Sequence, residues 1–287
     1  MPPVIIEWFR ENARDLPWRR PGFGAWGTLV SEFMLQQTPV NRVIPHLTEW
    51  LERWPTPADL AAVPPGEAVR AWATLGYPRR ALWLHACAVA ITEHHDGIVP
   101  SAVSELLKLP GIGDYTARAV AVFAYGKRHP VVDTNIRRVI ARAIDGQGEP
   151  APPSARRDLA AMAALLPHDD ADACTFNAGM MELGAIVCTA RAPRCDVCPL
   201  LNVCAWRLGG YPEYRGPRKA VQKKYEGSDR YVRGLIMREL RAAHRPVTAA
   251  EIETLWPADA TQRDRALDGL LADGLAVPAQ GGYVLPG

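Results

Sequence analysis

The 287-residue sequence lacks long hydrophobic runs and any marked excess of one charge. No stretch approaches the roughly 20 consecutive apolar residues of a membrane span. Glu7 and Arg10 interrupt the apolar start, so no signal-peptide core is predicted. We therefore expect a cytoplasmic protein without membrane contact. A net charge of +2 does not by itself imply polyanion binding, so nucleic acid would have to be bound by a local patch of cations.

Strand patterns are also scarce. Up to about residue 205 the apolar residues recur three and four positions apart, with Pro and Gly between the segments, which predicts an all-α fold. Residues 209–226 are rich in Gly, Pro and basic residues and are typical of a linker. Residues 227–287 contain three further helix patterns (228–243, 249–256 and 261–273). Short apolar runs at 275–277 and 283–285 then predict a hairpin, and therefore a winged-helix-like module.

Four of the six cysteines lie close together, as Cys188, Cys195, Cys198 and Cys204 in the spacing C-x6-C-x2-C-x5-C. In a reducing compartment such a cluster indicates metal binding rather than disulfides. From the spacing alone, zinc and a [4Fe–4S] cluster are equally compatible with four thiolates. The other two, Cys87 and Cys174, lie in apolar helical stretches and are expected to be packing residues.

The segment Leu109-Pro-Gly-Ile-Gly113 joins two helix patterns. Gly111 and Gly113 allow a tight turn that exposes backbone N–H groups where the second helix begins, an arrangement that suits a phosphate oxygen. A plain helical hairpin would have the same pattern. The nearby Arg118 favours a nucleic-acid contact.

Two carboxylates, Glu32 and Asp133, lie in or beside predicted helices, and their local sequence does not by itself indicate a catalytic role. Glu32 lies on a different helix face from the apolar stripe of its segment, which is typical of a solvated glutamate. Asp133 directly precedes a helix pattern and has the position of an N-cap.

Taken together, these segments resemble the helix-hairpin-helix base-excision glycosylases that carry an iron–sulfur cluster. The resemblance covers about residues 3–205 and implies a six-helix barrel module (23–130) and a cluster module (1–22 and 131–208) within a glycosylase core at 1–208. It also implies a [4Fe–4S] cluster on the four cysteines. The matching segments are Leu16-Pro-Trp-Arg19, Ser31-Glu-Phe-Met-Leu-Gln-Gln-Thr38, Leu75-Gly-Tyr77, Leu109-Pro-Gly-Ile-Gly113, Val132-Asp-Thr-Asn135, Phe176-Asn177 and Met181-Glu-Leu-Gly-Ala185.

Within that superfamily the chain is similar to the MutY-type adenine glycosylases. Tyr115 stands where the endonuclease III type has a lysine that forms a Schiff base and supports strand cleavage. The resemblance therefore implies a monofunctional enzyme that removes adenine mispaired with 8-oxoguanine or guanine in duplex DNA. Glu32 would be the general acid, with Asp133 the stabilising carboxylate that Asn135 and Tyr115 orient. A thymine/uracil mismatch glycosylase is the nearest alternative, and a catalytically silent iron–sulfur protein that only binds DNA is another.

The resemblance also implies contacts with the substrate. The flipped base would be bound by Trp18, Arg19, Leu35, Gln37, Thr38 and Glu182. The duplex would be contacted by Gln36, Tyr77, Leu109, Gly111, Gly113 and Arg118, with Tyr77 wedged beside the lesion.

Residues 227–287 are too few and too helical for the Nudix-like domain found in many relatives of this type, which weakens the expectation of a strong 8-oxoguanine preference. The tail could touch DNA through Arg230, Arg233, Arg263 and Arg265, or it could be a solvated stabilising module, since Asp264, Asp268 and Asp273 lie nearby. The tail could also contact a partner protein, whose identity the sequence does not indicate. A monomer is expected, and because its substrate would be duplex DNA, it is expected to be nucleoid-associated.

Overall fold

The computed structural model describes residues 1–217 and 225–287, so part of the linker predicted at 209–226 lies outside the described residues. The described elements are almost entirely helical, which confirms the all-α prediction. None of the described helices is both long and apolar enough to cross a membrane. The elements are α1 (Pro2–Asn12), α2 (Gly24–Leu35), α3 (Val40–Arg53), α4 (Pro57–Ala61), α5 (Pro65–Ala71), α6 (Arg79–His94), α7 (Val103–Leu106), α8 (Asp114–Phe123), α9 (Thr134–Ala143), α10 (Ala155–Ala163), α11 (Asp170–Ile186), α12 (Ala205–Leu208), α13 (Asp229–Ala242), α14 (Ala249–Leu255), α15 (Ala260–Ala272), β1 (Val277–Ala279) and β2 (Gly282–Val284).

The chain forms two compact units, and each consists of separate chain segments. The first comprises Met1–Thr28, Ser101–Leu107 and Ile112–Lys219, and the second comprises Leu29–Pro100, Lys108–Gly111 and Ala220–Gly287. This grouping differs from the division into a glycosylase core and a separate tail that the sequence suggests. Because compactness does not show which parts fold independently, the predicted domain boundaries stay predictions.

The first unit is built around α11, which packs against α1 and α9. Ile5, Ile136, Phe176 and Met180 are fully buried in its core. Close packing of α1 on α11 depends on Gly179, where a Cβ atom would lie 2.7 Å from Cγ2 of Ile5.

In the second unit, α4 and α5 pack against α6. Trp50 and Trp72 are fully buried and their rings meet edge to face, 5.6 Å apart, while Trp54 packs against Trp50 at 4.7 Å. Aromatic pairs in this geometry stabilise a core beyond the area that they bury.

The C-terminal segment belongs to the second unit, where α13 packs on α15 and α5. The N–H of Gly66 at the start of α5 donates to the carbonyl of Pro286 at 2.8 Å. A Cβ atom on Gly66 would lie 2.4 Å from that oxygen, so the end of the chain is closely fitted to α5.

Three helices followed by an antiparallel hairpin agree with the winged-helix-like prediction, but the strands are displaced. β1 pairs with β2 from Val277↔Val284 to Ala279↔Gly282. The first strand thus begins at Val277, two residues later than the predicted run at 275–277. The reason is that the N–H groups of Leu275 and Ala276 donate to Leu270 and complete the end of α15. They are therefore not available to a strand.

Candidate active site and metal centre

Glu32 lies in the last turn of α2, a helix that is buried almost all round. Leu29, Val30, Phe33 and Met34 are fully buried, and Glu32 itself is only 8% exposed. The helix pattern predicts a solvated side chain for Glu32, and this prediction is wrong. Residues 26–34 are all buried, so α2 has no solvated face at this point.

The four residues that follow the Phe33-Met34 pair form the segment 35–38, which we call the pocket segment. Leu35 and Gln36 are half-buried, Gln37 is exposed in a left-handed conformation (φ 59°), and Thr38 is buried. The Thr38 hydroxyl donates to the carbonyl of Leu75 at 3.1 Å. This bond joins the pocket segment to the loop that carries Tyr77.

Tyr77 combines a half-exposed side chain with a backbone in the left-handed region. Its side chain is 50% exposed, and its φ of +49° is in the left-handed region that a tyrosine adopts at a cost of about 1–2 kcal/mol. The preceding Gly76 is also left-handed, and its carbonyl accepts a bond from Trp72 Nε1 at 2.9 Å. Strain of this kind persists where the surroundings over-determine the backbone, and it is concentrated at functional sites.

The hairpin segment approaches α2 closely within the second unit. Gly111 has a φ of +75°, and a Cβ atom there would lie 2.7 Å from Cβ of Trp83 and 3.0 Å from Cε1 of Phe33. Leu109 is buried. A glycine is therefore required at position 111 both for conformation and for space.

The first turn of α8 provides the backbone donors that the sequence predicts. Gly113 is the N-cap, and in the described part of the chain no side chain caps this helix. Its first N–H groups and the positive end of the helix dipole are thus suited to an anion. Arg118, predicted to contact DNA, forms an ion pair with Asp114 at 2.9 Å.

Asp133 is the N-cap of α9, as its sequence position indicates. Its Oδ1 accepts from the N–H of Ile136 and its Oδ2 from Nδ2 of Asn135, both at 2.7 Å. Burial raises the pKa of Asp133 above its usual range, while these hydrogen bonds and Arg138 oppose the rise. The ionised form thus depends on its hydrogen-bond donors.

Asn135 is itself held on both sides. Its Oδ1 accepts from Arg138 Nη2 at 2.7 Å, and Arg138 also donates to the carbonyls of Gly184 and Cys188 at 2.6 and 2.7 Å. A Cβ atom on Gly184 would lie 2.7 Å from Cβ of Asn135. The amide that donates to Asp133 is therefore fixed by α11 and by the first cysteine of the cluster.

Tyr115 lies in the first turn of α8, half-buried. It packs against a small apolar cluster of Ala119, Val122 and Val131, which Met181 also contacts. The side chain is thus fixed by packing.

Glu182, predicted to bind the flipped base, is 1% exposed in α11 and is paired with two arginines. Its Oε1 accepts from Arg14 Nε at 2.7 Å, and its Oε2 accepts from Arg14 Nη2 at 2.7 Å and from Arg19 Nη2 at 2.9 Å. Burial alone would raise the pKa of Glu182, but the bonds from Arg14 and Arg19 lower it to about 2. Trp18 lies half-buried in the adjoining turn at Pro17–Arg19.

All four clustered cysteines line one cavity. Cys188 follows α11, Cys195 begins a short turn, and Cys204 is the N-cap of α12. Burial, with a smaller contribution from the neighbouring thiols, raises the pKa of Cys198 to about 11. A bound metal group supplies the positive charge that keeps such thiols deprotonated.

The wall of this cavity contains a buried arginine that fits a thiolate-bound group. Arg142 is 4% exposed, donates to Cys188 Sγ at 3.4 Å and to the carbonyl of Thr189 at 2.7 Å, and lies 4.7 Å from the ring centre of Trp206. Hydrogen bonds to the ligating sulfurs are one of the means by which a protein tunes an iron–sulfur cluster.

Four cysteine thiols around one cavity form a donor set that fits an iron–sulfur cluster. Sites built from four cysteines also bind zinc.

The arginines of the C-terminal segment are mostly neutralised. Arg233 pairs with Asp273, Arg263 with Asp264 and Arg265 with Asp229. These pairs agree with the stabilising-module interpretation more closely than with a DNA-binding surface.

Sequence reasoning missed a group of buried or half-buried arginines: Arg14, Arg80, Arg138 and Arg142. Arg138 and Arg142 could have been noticed, because they lie four apart on the helix between Asp133 and the cysteines. Arg14 binds Glu182, and Arg80 binds backbone carbonyls such as that of Phe33. Both sets of partners are distant in the sequence, so no local pattern indicates these two arginines.

Two family descriptions match the chain. Residues 30–163 match the HhH-GPD superfamily of base excision DNA repair proteins. Residues 188–204 match the iron–sulfur binding domain of endonuclease III, so the cysteine segment is an iron–sulfur binding motif.

The chain is similar over its whole length to curated relatives. The adenine DNA glycosylase of Mycolicibacterium smegmatis is 54% identical over 100% of this chain and 96% of its own length. That of Mycobacterium tuberculosis is 52% identical over 99% of this chain and 92% of its own length. Among solved structures, a thermostable thymine-DNA glycosylase superposes with a TM-score of 0.62 at 25% identity, over 72% of this chain and 95% of that one. The chain therefore belongs to the MutY-like adenine DNA glycosylase family within the HhH-GPD superfamily.

Proposed function

We propose that this protein is a monofunctional DNA glycosylase that removes adenine mispaired with 8-oxoguanine or guanine during base excision repair. The observation that carries the proposal is the burial of Glu32, which is 8% exposed between the fully buried Phe33 and Leu29 of α2. A carboxyl group in a place that excludes water is typical of a residue that works as a proton donor. The full-length similarity to adenine DNA glycosylases supports adenine as the base.

In the proposed reaction the adenine is first extruded from the stack, because its glycosidic bond is not accessible inside a duplex. Glu32 donates its proton to N7 of the adenine. The electron pair of the glycosidic bond then leaves with a neutral purine, and C1′ of the sugar becomes an oxocarbenium-like cation.

Asp133 stabilises that cation, or traps C1′ covalently, as paired carboxylates do in glycoside hydrolysis. The donors on Asp133 support this role, because the bonds from Ile136 and Asn135 favour its charged form despite burial. The oxygen of a water molecule then bonds to C1′ and its released proton passes to a carboxylate. Tyr115 and Asn135 orient Asp133 and this water.

A tyrosine at position 115 has no amine for a Schiff base, so we propose that strand cleavage does not follow base release. We also propose the roles that the family resemblance implies for the substrate contacts. Tyr77 is the wedge that enters the duplex, and the backbone at Leu109–Gly113 and the first turn of α8 bind phosphate. The base is bound by Leu35, Gln37 and Thr38 of the pocket segment with Trp18, Arg19 and Glu182, whereas Gln36 and Arg118 contact the duplex.

We propose that the iron–sulfur group is a [4Fe–4S] cluster held by Cys188, Cys195, Cys198 and Cys204. These four residues would hold the cluster, which would then crosslink the loop after α11 and supply a redox-capable centre. Base cleavage itself needs only the two carboxylates. The role of Arg142 is to donate to the Cys188 sulfur and to hold the loop carbonyls around it.

A second candidate is a thymine or uracil mismatch glycosylase, which the similarity to a solved thymine-DNA glycosylase favours. Duplexes with A:8-oxoguanine, A:G and T:G pairs distinguish the two in a single-turnover assay. We expect adenine release from the first two and no thymine release from the third. Release of thymine alone would reject the adenine proposal.

The same assay tests the acid. Glu32→Gln keeps the size of the side chain but removes its acidic proton, so we expect adenine release to be abolished while duplex binding persists. The matched control is Glu93→Gln, the same change at an exposed glutamate of α6, and we expect its rate to equal that of the unmodified protein. An unchanged rate in Glu32→Gln would reject the acid role.

A further inference from the structure

Arg80, in the first turn of α6, is a charged residue with only 3% exposure. Its guanidinium touches both the pocket segment and the loop of Tyr77. We infer that Arg80 is a positioning residue that couples the wedge Tyr77 to the base pocket, so that one cannot move without the other. This inference rests on the proposed function, because it assumes the roles given above to Tyr77 and to the pocket segment.

Part of the Arg80 guanidinium donates hydrogen bonds to the last carbonyls of α2. Its Nη1 donates to the carbonyls of Phe33 at 2.8 Å and Met34 at 3.3 Å, and also to that of Gln36. Its Nη2 donates to the hydroxyl of Thr38 at 3.2 Å. The last carbonyls of a helix have no helical partner and form the negative end of its dipole, so a buried cation is stabilised there. Arg80 therefore fixes the turn from Glu32 into the pocket segment.

The other side of Arg80 holds the loop of the wedge. Nη2 also donates to the carbonyl of Gly76 at 3.1 Å, and the backbone N–H of Arg80 donates to the carbonyl of Tyr77 at 3.0 Å. The guanidinium carbon lies 5.2 Å from the ring centre of Tyr77 and 5.4 Å from that of Trp72. The left-handed backbone and the half-exposed ring of Tyr77 are thus held by the same planar group that holds the pocket segment.

The chemistry of the side chain explains why arginine is suited to this position. A guanidinium presents five donors in a fixed plane and stacks on aromatic rings, whereas a lysine ammonium is a single flexible point charge. Burial lowers the pKa of Arg80 to about 10, so the group remains charged at neutral pH. The cation–π contact with Tyr77 is therefore present under assay conditions.

The test is a double-mutant cycle on single-turnover adenine release from an A:8-oxoguanine duplex. The variants are Arg80→Met, Tyr77→Ala and the two together. Methionine fills similar volume without leaving a buried charge. We expect Arg80→Met to slow release by about tenfold, and to have an effect of less than about two-fold when Tyr77 is already alanine, because coupled residues are not additive.

Two further variants separate positioning from general stability. Arg70→Met is the matched control, since Arg70 also donates to a backbone carbonyl, that of Arg241, and contacts neither Tyr77 nor the pocket segment. We expect a comparable fall in melting temperature and an unchanged rate. Arg80→Lys restores a charge with fewer donors, and we expect a rate between those of the methionine variant and the unmodified protein. If Arg80→Met does not fold, as judged by circular dichroism, Arg80→Lys replaces it in the cycle.

The outcomes are distinguishable. If the unmodified protein releases adenine and the effects of Arg80→Met and Tyr77→Ala multiply, the coupling is refuted and the proposed function stands. If Arg80→Met and Arg70→Met slow release equally, Arg80 is merely structural and the inference fails. If the unmodified protein releases no base from any of the three duplexes, the proposed function is wrong and the inference falls with it.

Discussion

At the scale of single residues, Asp133 must satisfy two opposed requirements. The proposed reaction needs its ionised form, yet burial raises its pKa. The bonds from Ile136 and Asn135 reduce this conflict without removing it. A charge kept in such a place destabilises the folded protein relative to a neutral group of the same shape.

We therefore expect Asp133→Asn to lose adenine release and to differ from the unmodified protein in how its melting temperature depends on pH. Asparagine can still accept from the N–H of Ile136 as an N-cap, but it loses the bond from Asn135, because an NH2 group replaces the second acceptor oxygen. Because the folded pKa lies above the ordinary value of 3.8, the penalty is absent where aspartate is protonated in both states and grows as pH rises above about 4. Melting curves from pH 4 to 7.5 should show the stability of the variant relative to the unmodified protein rising with pH above about 4 and then levelling once pH exceeds the folded pKa of Asp133. A constant or reversed difference would contradict this account.

The capping role of Asp133 could be predicted from the sequence because it depends on residues within one helical turn. The partners of Glu182 could not. Arg14 is 168 positions away in the chain, and no local pattern indicates that these two side chains meet. Glu32 shows the same limit, because helix periodicity describes one helix and not the elements that cover it.

At the scale of secondary-structure elements, α11 connects the candidate site to the core of the first unit. The helix is 17 residues long, but its sequence shows little apolar periodicity because it packs against both α1 and α9. Its glycines also weaken a helix prediction. Gly179 and Gly184 allow the close approach of Ile5 and Asn135, so the residues that weaken the helix prediction are the ones that its packing requires.

Gly184→Ala tests this packing. The added Cβ atom would lie 2.7 Å from Cβ of Asn135 and 2.9 Å from its carbonyl oxygen, so it should displace the amide that donates to Asp133. We expect adenine release to fall by about tenfold or more, with a loss of about 1–3 kcal/mol in the free energy of unfolding.

The matched control is Gly234→Ala in α13, where the nearest atom to a new Cβ is the Tyr225 hydroxyl at 3.0 Å. Alanine favours a helix over glycine, so its rate should be unchanged and its stability equal or slightly higher. Equal rates for the two variants would show that the contact between Gly184 and Asn135 does not position the site.

At the scale of the whole molecule, the chain forms two compact units. We therefore expect loss of the cluster to affect the unit that contains the cysteines and not the other unit. Cys198→Ser removes one of four ligands from the cavity of the first unit. We expect loss of visible absorption and faster amide hydrogen exchange in residues 186–212, because metal binding and local folding are linked. Residues 227–287 belong to the other unit, and their exchange should not change.

Cys174→Ser provides the control, since Cys174 is half-buried and lies outside the cysteine cavity. Its visible absorption should be retained. Faster exchange throughout residues 227–287 in Cys198→Ser would show that the cluster maintains the entire protein rather than one unit.

The ion pairs of the C-terminal arginines have a consequence for how binding should respond to ionic strength. A cation adds to the salt dependence of duplex affinity only if it displaces a condensed counterion from a phosphate. Arg233, Arg263 and Arg265 already have aspartates as their counterions. The steepness of affinity against salt concentration should therefore be determined by cations elsewhere in the chain, and these three arginines should contribute little to it.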